Sequence, residues 1–311
     1  RPDREVARVA RLRLRDPDEA GVALVGKPDR GRPRAPVRVL VRRGPAAAED
    51  RRAPRVIQVQ HHIAHVLSCM AENEAEPTAL GVSWDGTGLG LDGTIWGGEF
   101  FRITEHAVER VAHFRPFSLP GGDKAVKEPR RAALGLLHQL APASCNLLLQ
   151  VQQKVAATLT AAEHAGLKAM LERGLYSPLC CSVGRLFDAV AALVGLRQVV
   201  RFEGQAAMEL EFALDGVRTD EAYPLSLVTR HSPFLLDWAP TIEALLADVE
   251  RRVSVGVISA KFHNALVEAI VGVARQTAQR RVMLSGGCFQ NRYLTERAVT
   301  RLQTEGFQPY W

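Results

Sequence analysis

The chain is poor in cysteine. It has five in 311 residues, Cys69, Cys145, Cys180, Cys181 and Cys288, with no Cys-x-x-Cys pair. An odd count with two adjacent members excludes a disulfide framework and a zinc ribbon, and it fits a reducing cytosol. No apolar run reaches the roughly 18–20 residues of a membrane span. No secretory leader is recognised, so a cytoplasmic location without a membrane partner is expected. Aromatic residues make up 6% of the chain and are absent from residues 1–55. That stretch has 16 basic and 8 acidic side chains, a net of +8, against +6 for the whole chain, so residues 56–311 carry 6 − 8 = −2. A basic arm without rings to stack on bases reads as solvated, and nucleic acid is not an expected partner.

What is present is an ordinary globular composition, 47% hydrophobic and 24% charged. At about 150 residues per domain the length suggests two domains, or two lobes of one. Residues 1–55 read as a basic arm with a strand at 37–41 and a linker at 45–55. Residues 56–311 read as the body, a β-rich lobe over about 56–125 followed by a helical region and second lobe over 126–311. The pattern predicts strands at 56–59, 79–84, 94–103 and 107–114, the last three forming an antiparallel meander. A helix at 61–73 and a Gly-rich turn at 85–90 lie among them. Helices are expected at 126–140, 149–173, 184–195, 205–213, 241–253 and 256–278. A strand at 281–284, a turn at 285–287 and a helix at 291–303 close the chain. The fold class is α/β, with lobes flanking a cleft.

Five motifs carry chemistry. In His61-His62-Ile63-Ala64-His65, His61 and His65 stand at i and i+4 on one helix face. That spacing lets two imidazoles bind one metal, though paired helix histidines of no function share it; His62 points about 100° away. Asp85-Gly86-Thr87-Gly88 follows an apolar strand and offers an acid for a metal and glycines that let backbone N–H groups approach phosphate. Asp92-Gly93 has the same chemistry and reads as the hairpin turn. Ser285-Gly286-Gly287-Cys288-Phe289-Gln290-Asn291 joins strand to helix, where a glycine pair cradles phosphate or a nucleotide sugar. Asn291 is either a ligand contact or the helix cap, and Cys288, with no base in view, reads as a small buried residue. In Gly184-Arg185-Leu186-Phe187-Asp188 the acid one turn on suits ribose hydroxyls or simply an amphipathic helix. Leu119-Pro120-Gly121-Gly122-Asp123 reads as a loop closing onto a helix.

Taken together, VQHHIAH, DGTGLGLDGTIWGGEF, FSLPGGD, GRLFDAVAALVGL, EGQAAMELE, FHNAL and SGGCFQN resemble the HypF family of hydrogenase-maturation carbamoyltransferases. The resemblance covers about residues 56–311, in the part related to tRNA threonylcarbamoyladenosine transferases. It implies an actin-like two-lobed fold (ASKHA, with RNase H-like lobes) and an interlobe cleft for nucleotide and metal. It implies ATP and a divalent metal (Fe, Zn, Mn or Mg) as cofactors, carbamoyl phosphate as substrate and a HypE-type acceptor protein as partner. Carbamoyl adenylate would pass its carbamoyl group to a C-terminal cysteine of HypE, toward a cyanide ligand of the nickel–iron site. By position, His61, His65 and Asp85 match metal ligands. Gly184 and Asp188 match nucleotide contacts, Glu203 and Gly204 lie near the sugar, and Gly286, Gly287 and Asn291 match a second nucleotide-binding turn. No catalytic group is assigned.

The family's acylphosphatase, zinc-finger and adenylate-forming domains are not visible in this sequence. Its final Asp-Gly-Gly turn, a further metal ligand, falls past Trp311, and Cys180 and Cys181 stand where the family favours hydroxyls. Two other readings are carbamoyl or threonylcarbamoyl transfer to a small-molecule hydroxyl or tRNA, and a non-catalytic nucleotide-binding assembly subunit.

Overall fold

The computed structural model describes residues 22–25, 37–41, 56–140, 146–230 and 232–311. Most of the expected basic arm and its 45–55 linker lie outside the described residues. From the arm come β1 (Val22–Val25) and β2 (Val37–Val41). With β3 (Val56–Val59) they form a three-stranded antiparallel sheet, with β2 in the centre. The strand expected at 37–41 is found, and β1 was not foreseen.

Helix α1 (His61–Glu72) starts at Gln60, whose Oε1 accepts from the backbone N–H groups of His62 (2.7 Å) and Ile63 (3.1 Å). That caps donors the first turn leaves open. Three strands follow, β4 (Ala79–Leu89), β5 (Ile95–Ile103) and β6 (Val108–Phe114). They form the expected antiparallel meander. Residues 79–85 of β4 are all buried, as in a strand covered on both faces. The Gly-rich stretch 85–90 is not the predicted turn. The strand continues to Leu89, and the hairpin turns at Asp92-Gly93, where Gly93 has φ 77° and Asp92 Oδ1 accepts from Thr94 N at 3.0 Å.

A short β7 (Phe117–Ser118) leads to α2 (Asp123–Lys127) and α3 (Pro129–Gln139). The helix predicted at 126–140 is broken at Glu128 because Pro129 has no N–H and restricts the residue before it. Likewise 149–173 divides into α4 (Asn146–Ala156) and α5 (Ala161–Arg173). Thr160 and Glu163 form a reciprocal capping box at the start of α5. Then come β8 (Leu179–Cys180), α6 (Val183–Leu193), α7 (Gln205–Phe212), β9 (Ser226–Val228) and β10 (Phe234–Asp237). The chain continues through α8 (Ala239–Glu250), α9 (Val255–Thr277), β11 (Arg281–Ser285), a 3₁₀ turn (Gly287–Gln290), α10 (Arg292–Thr304) and β12 (Gln308–Tyr310).

The main sheet runs β12-β11-β4-β5-β6-β10-β9, with β7 and β8 at its side. β11 is parallel to β4 and β12 is parallel to β11. A three-strand meander with two parallel strands beside its first strand is the RNase H-like order, and the α/β class is as expected. The sheet takes strands from both sides of residue 125. Strands β9, β10 and β12, of three or four residues each, were missed because so short a run shows no periodicity.

Helix α9 corrects the reading of apolar runs. Its 23 residues are long and apolar enough to cross a membrane by length and composition, but 78% of its apolar window is buried inside the protein. Phe262, Leu266, Ile270 and Val273 are at or near zero exposure, so it serves here as a core helix.

Candidate metal and nucleotide site

His61, His65 and Asp85 meet. His61 Nε2 lies 2.9 Å from Asp85 Oδ2, His65 Nε2 lies 3.2 Å from His61 Nε2, and His65 Nε2 lies 3.4 Å from Asp85 Oδ2. Donors about 2.1 Å from one centre, at angles of about 90–110°, stand roughly 3.0–3.4 Å apart. The three residues thus fit a divalent metal. His62 turns away, as its helical position requires. Gln60 Nε2 is 3.0 Å from its Nδ1, and burial, helped by His61, pulls its pKa down to about 3.

Asp85 sits in a bulge. β4 and β5 pair at Trp84↔Gly98 and again at Gly88↔Trp96, so Asp85, Gly86 and Thr87 oppose Gly97 alone. Bulges re-aim side chains and cluster next to active sites. Asp85 Oδ1 accepts from Gly86 N at 2.8 Å, and Oδ2 faces the histidines. Packing requires Gly88: a Cβ there would lie 2.4 Å from His62 Cε1 and 3.0 Å from His61 Cδ2.

Two further segments close on the bulge. Gly184, in the first turn of α6, packs so tightly that a Cβ would stand 2.7 Å from Gly86 Cα. Ser182 caps α6, accepting from Arg185 N at 3.1 Å, and its hydroxyl lies 2.6 Å from Asp85 O and 2.8 Å from Gly86 O. One side chain therefore ties the α6 start to the Asp85-Gly86 segment. From β11, Gly286 (φ 103°) lies against Trp84, where a Cβ would be 2.2 Å from Trp84 O, and Gly287 faces Asp85, where a Cβ would be 2.8 Å from Oδ1. Any larger residue at either position would push the two turns apart.

Of the predicted nucleotide residues, Gly184, Glu203, Gly286 and Gly287 thus gather round Asp85-Gly86. Glu203 Oε1 would be 3.2 Å from a Cβ on Gly86, and Gly204 (φ 82°) starts α7 beside it. Asp188 is fully buried, and burial and Glu203 outweigh Arg185 to raise its pKa to about 6. Asn291 serves as the cap. Its Oδ1 accepts from Leu294 N (2.8 Å), its Nδ2 donates to His263 Nε2 (2.9 Å), and the side chain is buried. Both ends of the amide are engaged inside the protein.

Sequence reading gave no role to Ser182 or Arg185. Ser182 carried the legible signal of a serine just before a helix; Arg185 carried none, because an arginine in a helix is ordinarily solvated. The four described cysteines are free. Burial pushes the Cys69 pKa to about 11, that of Cys180 to about 12 and that of Cys288 well upward, so these stay thiols at neutral pH. Cys181 donates its S–H to Glu99 Oε1 at 2.8 Å, as a hydroxyl in its place would.

Residues 81–311 match the family described as carbamoyltransferase, Kae1-like domain, second subdomain, and residues 43–72 match the HypF Kae1-like domain. A Synechocystis protein named carbamoyltransferase HypF is 42% identical over 275 residues, which are 85% of this chain and 35% of that protein. A Cupriavidus necator carbamoyltransferase HypF homolog is 35% identical over 262 residues, 81% of this chain and 65% of that one. A crystal structure of full-length HypF in the phosphate- and nucleotide-bound form is 35% identical and superposes with a TM-score of 0.74, covering 82% of this chain and 39% of that one. Against several of these full-length relatives the chain spans about a third of their length. On this sequence match and shared fold, the chain belongs to the HypF carbamoyltransferase family, in its Kae1-like part.

Proposed function

We propose that this chain carries the transfer step of an ATP-dependent carbamoyltransferase of [NiFe]-hydrogenase maturation. The reading rests on one observation above all: the His61-His65-Asp85 triad faces the Gly286-Gly287 turn and the α6 start, in a chain of the HypF family. Carbamoyl derived from carbamoyl phosphate enters as carbamoyl adenylate. The C-terminal cysteine thiolate of a HypE-type acceptor attacks the carbamoyl carbon. A C–S bond forms, the bond to the phosphate oxygen breaks, and AMP leaves with the electron pair.

A divalent metal held by His61, His65 and Asp85 would supply Lewis-acid stabilisation of developing oxygen charge; Fe, Zn, Mn and Mg all remain candidates. The chain's own residues position the adenylate. The Gly286-Gly287 turn, packed against Trp84 and Asp85, brings its backbone to the site, and Glu203 suits ribose hydroxyls. Holding two reactants in place supplies much of the rate. A thiolate of low pKa needs no base from this chain. The free thiols fit a cytosolic setting.

The test supplies the chain with a HypE-type partner and labelled, preformed carbamoyl adenylate, and in parallel with ATP and labelled carbamoyl phosphate. Label on the partner's cysteine is expected from the preformed adenylate. Pyrophosphate release in the second arm shows whether activation also occurs here. Nucleotide and partner binding without label overturns transfer in favour of an assembly subunit, and label on tRNA or a small hydroxyl moves the acceptor.

A further inference from the structure

We propose that Arg185 receives the ligand's phosphate charge at this site, a role that no sequence motif gave it; the proposal rests on the nucleotide reading above. Arg185 is 3% exposed. Its Nε and Nη1 make no hydrogen bond within the protein, and neither does Asp188 Oδ2. Nη1 and Asp188 Oδ2 stand 2.7 Å apart, so the charges are paired, but the approach is too oblique for a hydrogen bond. Burying a guanidinium with donors unmade is costly, and folded proteins keep few such groups.

The position of the guanidinium shows what would complete it. A Cβ on Gly86 would stand 3.3 Å from Arg185 Nη2 and 3.2 Å from Glu203 Oε1. The head group therefore lies against the bulge that carries Asp85. Beside the metal triad stand two further carboxylates, Asp188 and Glu203, and a phosphate brought against them meets repulsion that a guanidinium offsets. An arginine fork matches phosphate oxygens with two parallel N–H donors. A nucleoside without phosphate has no need of that cation. Arg185 thus separates recognition of the phosphate from recognition of the sugar and base.

The test is equilibrium binding of ATP, AMP and adenosine to the full chain, with cooperative unfolding checked for each variant. Arg185→Met should weaken ATP and AMP by about 10- to 100-fold, the loss of a hydrogen-bonded charge. Adenosine affinity should stay within about twofold. Arg185→Lys keeps the charge and loses the fork, so it should lie between wild type and Arg185→Met for ATP, with adenosine again unchanged. Equal weakening of all three ligands overturns the proposal and makes Arg185 a structural counter-ion of Asp188; unchanged ATP binding overturns it outright. If Arg185→Met does not fold, Arg185→Lys decides by the same criterion. Wild-type chain that binds none of the three overturns the nucleotide reading and this proposal together, whereas wild-type binding with an indifferent variant overturns this proposal alone.

Discussion

Two corners of the molecule each set a helix histidine against a turn, and they differ in where the polar atoms point. At the α1 corner the donor atoms of His61, His65 and Asp85 converge to within 2.9–3.4 Å of one another. At the α9 corner the groups form a line. His263 Nδ1–H donates to Ser259 O (2.7 Å), His263 Nε2 accepts from Asn291 Nδ2 (2.9 Å), and Asn291 Oδ1 accepts from Leu294 N (2.8 Å). Every link there has one donor and one acceptor, so the line is complete without a ligand. The first geometry gathers three potential metal ligand atoms toward one point that a cation would join, and the second is a brace.

The largest effect that tests this contrast is loss of metal. His65→Ala should reduce bound divalent metal, measured by elemental analysis, to below about a tenth of wild type and abolish transfer with it, whereas His263→Ala should leave metal content unchanged. Transfer that survives with metal lost would make the metal structural. Gly88→Ala keeps all three ligands but drives a methyl into His61 and His62. It should weaken metal affinity by about 10- to 100-fold, as changes behind a metal ligand do, in a competition titration with a chelator.

The α9 corner should instead show itself in stability. Burial pulls the His263 pKa from 6.5 to about 4. The unfolded chain therefore takes up this proton first as pH falls. The contribution is full above the unfolded value and is lost between 6.5 and 4, about 2 kcal/mol of it by pH 5. Urea unfolding at pH 7 and 5 should show that loss in wild type and a smaller one in His263→Leu. An equal pH dependence in both would assign the effect elsewhere. The smallest effect is Asn291→Ala, which removes a helix cap and leaves His263 Nε2 without its donor. It should cost about 1–2 kcal/mol by denaturant midpoint while metal content holds. A loss of metal instead would join the two corners into one site.

The i, i+4 histidines were legible because helical period alone puts them on one face, and the acid at the end of an apolar run was legible as a place for a metal or phosphate, with the family resemblance alone making it a third ligand. That Asp85 reaches them was not, since it takes a bulge between Trp84 and Gly88 to turn it. Asn291 was ambiguous between contact and cap because both roles want the same residue at the same place, and only its partner on α9 shows how the amide is used. The breaks in the predicted helices were readable after the fact from Pro129 and Thr160, which act locally. Strand β10, parallel to β6 from over a hundred residues away, had no local signal to read.

The sequence by itself determined the elements, the α/β class and the chemical types gathered for the site, because period, caps and glycine act over a few residues. Only the tertiary structure decided which of those residues meet. Four segments far apart in the chain, around His61, Asp85, Gly184 and Gly286, are held within contact by strand pairing and by glycines that leave no room for a side chain. The same packing buried Arg185 beside Asp188 and against the bulge at Gly86, and no local pattern encodes that position, because it depends on what the rest of the chain places around it.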